Sequence, residues 1–152
     1  MLKFASVLLC VGLFAACSSE RVVEHKKQSL LFGTDHKALL TSYRQVMQTR
    51  RDFNHDSNWK TYGENDPDVS FPSPADPKLP NNIRRLRPAL IICHDDSLDV
   101  MFQPDGSHNM GFIAYAVGVT NTPEEVSGRE FQKLTNGLWF YDEIDRPLRK
   151  SQ

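Results

Sequence analysis

Between residues 35 and 48 the apolar positions Leu39, Leu40, Tyr43, Val46 and Met47 recur at steps of three and four, while Lys37, Arg44, Gln45 and Gln48 fill the opposite side. That stripe predicts an amphipathic helix. Thr34 or Asp35 can cap its free N–H groups, and Arg50-Arg51 sit near the end where the helix dipole favours cations. Further on the period shortens to two. Ala89 to His94, Leu98 to Gln103 and Met110 to Val117 read as strands, separated by Asp95-Asp96-Ser97 and by Pro104-Asp105-Gly106. In the second of them Leu98, Val100 and Phe102 alternate with Asp99, Met101 and Gln103, so one face should look inward and the other towards water. The first and third are apolar on both faces, which suits interior positions.

Two more apolar runs, Phe131 to Leu134 and Leu138 to Tyr141, flank Thr135-Asn136-Gly137, and Asn-Gly is a strong signal for a tight reversal. A last hairpin or a kinked edge strand is expected. Ile83 and Leu86 can face the core from one or two helical turns within Pro80 to Arg87, which Pro88 stops. Thr122-Pro123-Glu124-Glu125 has a capping-box arrangement, but Gly128 leaves room for a single turn only. Residues 52–80 carry Pro67, Pro72, Pro74, Pro77 and Pro80 without either period, and predict a long Pro/Asp-rich loop. Trp59, Tyr62 and Phe71 favour a loop packed on the fold. The expected fold is α+β: a small antiparallel β-meander with one amphipathic helix packed on one face. A single domain spans residues 34–146, followed by a short tail, 147–152.

The segment before the helix differs in kind. Residues 18–33 are polar and charged, lack a sustained apolar period until Leu30-Leu31-Phe32, and read as a tether. Ahead of them, Lys3 is followed by an apolar or small run from Phe4 to Ala16 that stops at Ser18-Ser19-Glu20-Arg21. A span needs about 20 apolar residues, so this run is a signal peptide, residues 1–16. Phe14-Ala15-Ala16-Cys17 resembles the lipobox of bacterial lipoproteins, an aliphatic residue, two small residues and the cysteine that becomes the mature N-terminus. Phe14 stands where leucine is usual, with Leu13 beside it. The resemblance implies lipid on Cys17 and anchorage to a cell-envelope membrane. An aspartate after the cysteine retains such proteins at the inner membrane; Ser18 occupies that position here, which implies the outer membrane, facing the periplasm.

Charge narrows the partners. The chain carries 18 basic and 19 acidic residues, and loss of residues 1–16 removes only Lys3, leaving 17 against 19 and a net charge of −2. That balance gives no reason to expect nucleic acid. An envelope protein partner fits better, with membrane contact through the N-terminal lipid. Without Cys10 and with Cys17 acylated, Cys93 is the remaining thiol, and no intramolecular disulfide is expected.

Cys93-His94-Asp95-Asp96 contains a nucleophile, a base and two carboxylates, the one set suggestive of a small hydrolase-like enzyme. Adjacent strand residues point to opposite faces, so Cys93 and His94 should not meet, and a buried, inert Cys93 is expected. His94, Asp95 and Asp96 form at most a weak local metal site. His108 and Asp105 lie roughly 20 Å away across a strand rising ~3.3 Å per residue. Phosphate-binding, nucleophile-elbow and zincin motifs are missing, and no cofactor is expected. Arg84, Arg85 and Arg87 form a cationic cluster, and Leu138-Trp139-Phe140-Tyr141 puts aromatics on both faces of a strand. A non-catalytic binding module using Arg84, Arg85, Arg87, Trp139 or Tyr141 leads, with an enzyme or a structural or immunity-type lipoprotein as alternatives.

Overall fold

The computed structural model describes residues 20–54, 69–104, 108–120, 122–123 and 128–143. Cys17 and the leader, Trp59, Tyr62, most of the turn around Asp105 and the tail 147–152 lie outside the described residues. Among the described residues, three helices and five strands form an α+β fold. The helices are α1 (residues 20–32), α2 (His36–Gln48) and α3 (Asn81–Leu86). The strands are β1 (Leu90–Cys93), β2 (Ser97–Phe102), β3 (Met110–Tyr115), β4 (Arg129–Thr135) and β5 (Leu138–Glu143).

Helix α2 follows the apolar stripe: Leu39, Leu40, Tyr43, Val46 and Met47 are its buried residues. Asp35 caps it, one carboxylate oxygen accepting from the amides of Lys37 and Ala38 at 3.1 Å. Arg50 lies beyond the helix, in a 3-10 turn from Arg50 to Asp52, and pairs with Asp95. Ile83 of α3 is fully buried. In the chain before α3, Asp76 is almost fully buried because its carboxylate accepts from the amides of Asn54 and Lys78 at 2.7 and 2.8 Å. Those two bonds hold the carboxyl below the usual carboxylate range.

The expectation of a tether fails at residues 20–32, which are helical and packed on the core. Leu30 is fully buried, and Val23 and Leu31 pack against the same cluster. Lys26 is half-buried, with Nζ 4.8 Å from the Phe102 ring centroid, and donates to the Leu86 carbonyl at 2.6 Å. Lys27 reaches Asp142 of β5 at 2.5 Å. Long lysine stems do packing that apolar side chains would otherwise do. An apolar period is therefore missing where a packed helix exists.

All five strands pair antiparallel in the order β1-β2-β3-β5-β4. The first three form the expected meander. The terminal hairpin, closed at Asn136-Gly137 with Gly137 at φ 87°, then enters by its second strand, so β5 lies against β3 and β4 forms the border. Strand β1 is the other border rather than an interior strand; Ser70 bonds both backbone groups of Cys93 at 2.8 Å and covers part of it.

Leu98, Val100, Phe102, Met110, Phe112, Ala114, Leu138 and Phe140 make the inner face, which joins residues of all three helices in one core. Phe112 is its centre, in ring contact with His36, Tyr43, Phe102 and Phe140. Alternate residues form the outer face, with Leu90 and Tyr141 buried and Ile92, Met101, Ile113, Phe131 and Trp139 half-buried.

Candidate functional site

The outer face is not uniformly apolar. Registered positions Ile92, Asp99, Ile113, Trp139 and Lys133 lie side by side across the five strands. The next row is Leu90, Met101, Gly111, Tyr141 and Phe131. Gly111 makes a close approach possible. A Cβ there would overlap the Val100 carbonyl oxygen and come within 2.7 Å of the Tyr141 ring. Without it the ring crosses β3, and its hydroxyl donates to Asp99 Oδ1 at 3.0 Å. Tyr141 is thereby fully buried and is no contact residue, contrary to the expectation from its position in the sequence.

Arg129 of β4 lays its guanidinium 4.5 Å above the same ring and pairs with Glu143 through Nε at 2.9 Å and Nη2 at 2.8 Å. Glu143 also accepts from Asn109 at 2.6 Å, and Asn109 accepts from Gln103 at 2.8 Å. A polar band thus crosses the face. Burial pushes the Asp99 carboxyl up to about 6; the Tyr141 bond and the charges of Arg129 and His94 oppose the shift without cancelling it. Burial and the neighbouring Asp99 also raise the Tyr141 hydroxyl far above its usual value, so it stays protonated and acts as a donor.

This gives Asp99 a measurable signature. A carboxyl whose pKa is raised by folding stabilises the fold while protonated. Its contribution is complete below about pH 4 and is lost as pH climbs through about 6. Asp99→Asn keeps an acceptor for Tyr141 and carries no charge. In urea titrations the variant should match the native chain near pH 4 and exceed its stability by about 3 kcal/mol at pH 7. Equal stability at both pH values would show that Asp99 is not desolvated.

Cys93 and His94 separate as alternation requires. Cys93 is fully buried in the core, its Sγ lies 3.6 Å from the His94 carbonyl, and burial pushes the thiol up. His94 turns to the outer face, where its charge acts on Asp99. A neutral, sequestered thiol without a base has no nucleophilic chemistry. Asp95 is engaged by Arg50, and the Asp96 carbonyl accepts from the Ala116 amide at 2.8 Å. Among the described residues no group of three histidine, cysteine or carboxylate side chains could hold a metal ion.

Arg84, Arg85 and Arg87 are exposed around the end of α3, with Arg87 in the left-handed region at φ 54°. Arg87 lies near Lys26 of α1, Arg84 donates through Nε to the Leu79 carbonyl at 3.2 Å, and the structure does not bring the three together with Trp139. Trp139 is on the outer face under Lys133, whose Nζ is 5.8 Å from a ring centroid. It belongs to β5, an inner strand, so the expected edge position falls to β4. That border is charged at Arg129, Glu130 and Lys133 and irregular between Lys133 and Thr135. Such features discourage strand addition.

Sequence reasoning missed Asp99, Arg129 and Glu143. Asp99 was visible as a lone charge in mid-strand, but alternation alone assigned it to water. Among the described residues no helix is long and apolar enough to cross a membrane. No family model, no curated protein and no solved structure matches this chain.

Proposed function

We propose that this chain is an envelope lipoprotein, lipid-anchored at Cys17 to the outer membrane, whose domain is a non-catalytic binding module. Its contact surface is the outer face of the sheet. The observation that carries this reading is the mixture on that face: half-buried Ile92, Ile113, Phe131 and Trp139 share it with the part-exposed Arg129–Glu143 pair, whose guanidinium lies over the buried Tyr141 ring. Aromatic and aliphatic anchors around a preorganised polar centre are the composition of protein-binding hot spots. The helices give the domain its core on the other side, so contact on the outer face requires no rearrangement of that core. The lipobox supports the anchor.

Site-specific photocrosslinking in intact cells tests the surface. A crosslinking residue at Ile113 should yield a discrete protein adduct, and one at exposed Lys37 on α2 should not. Trp139→Ala should abolish the adduct, and Cys17→Ala should move the protein out of the membrane fraction. Equal adducts at positions 113 and 37 would discard the outer face. An unmodified N-terminus by mass spectrometry would discard the anchor.

A further inference from the structure

A second site lies apart from the outer face, in a cleft of about 300 Å³ lined by Arg44, Met47, Gln48, Asp95, Ala116 and Val117. It sits where the end of α2, the β1–β2 turn and the chain after β3 converge. Arg44 is held in place: its Nε donates to the Tyr115 carbonyl at 3.1 Å, and a Cβ on Gly137 would come within 2.8 Å of its Nη2. No described carboxylate pairs with it. A guanidinium fixed by a backbone carbonyl and left without an anion is prepared to take a carboxylate through its remaining N–H groups.

The opposite charge is present in the same cleft. Asp95 pairs with Arg50 through Oδ1, and its side chain is 58% exposed. Met47, almost buried, and Val117, 77% exposed, supply apolar walls.

We propose that this cleft binds a free α-amino acid with a branched aliphatic side chain. The ligand carboxylate meets Arg44, its ammonium meets the exposed part of the Asp95 carboxylate, and its side chain lies between Met47 and Val117. The volume is at the lower end for small-molecule sites, which suits one residue-sized ligand. Both ligand charges are answered, whereas a peptide terminus answers only one.

Calorimetry on the full chain in detergent micelles, with L-leucine as the probe, tests the proposal. Leucine should bind saturably. Isovalerate, which lacks the ammonium, and isopentylamine, which lacks the carboxylate, should each bind about tenfold more weakly or worse. Arg44→Met should reduce leucine affinity by a similar factor. Because that change also removes the Tyr115 contact, Val117→Glu serves as the second variant: its site is exposed, the fold tolerates it, and the new carboxylate repels the ligand's. Absence of saturable leucine binding to the folded chain, isovalerate binding as tightly as leucine, or unchanged affinity in Val117→Glu would each overturn the assignment.

Discussion

Phe112→Ala should be the most damaging single substitution in the described core, costing about 3–5 kcal/mol. The ring is fully buried at the middle of the inner face and meets His36, Tyr43, Phe102 and Phe140 at centroid distances of 5.8 to 6.3 Å. Two of those partners belong to α2 or its first turn and two to the neighbouring strands, so one cavity would loosen both layers together. A domain of this size holds only about 5–15 kcal/mol in total. Thermal unfolding should fall by roughly 15 °C, and the midpoint in urea should move with it. A loss below 1 kcal/mol would mean that helix and sheet do not share the core described above.

Leu30→Ala should cost about 2–5 kcal/mol, whereas Phe32→Ala, two residues further along the same helix, should stay within about 0.5 kcal/mol. Leu30 is fully buried and Phe32 is 77% exposed, so the pair separates packing from local helix preference. Urea denaturation of both variants distinguishes an integral α1 from a flexible leader to the domain. Were residues 20–32 only a tether, neither change would register.

These results show where alternation and periodicity speak clearly and where they do not. Helix α2 was legible because five apolar side chains fall on one stripe and Asp35 sits at its start. The strands were legible within a few residues for the same reason, and the opposite orientations of Cys93 and His94 followed from the two-residue period. Helix α1 was not legible, because Lys26 and Lys27 make its contacts, and lysine reads as solvent-facing in any polarity pattern. Nor was the strand order. Asn136-Gly137 fixes a hairpin but not which arm docks, and that choice follows from β5 offering apolar side chains to both faces while β4 offers Glu130, Gln132 and Lys133. Asp99 escaped notice because its burial depends on a tyrosine 42 residues away crossing a glycine on a third strand.

The arrangement of the final hairpin bears on biosynthesis. Since β5 and not β4 joins β3, the border of the half-made sheet stays open until the last described residues have left the ribosome. A nascent or prematurely terminated product ending at Thr135 would expose the unpaired backbone of β3 and lack Leu138 and Phe140 from its interior. Such shortened chains should aggregate or be degraded.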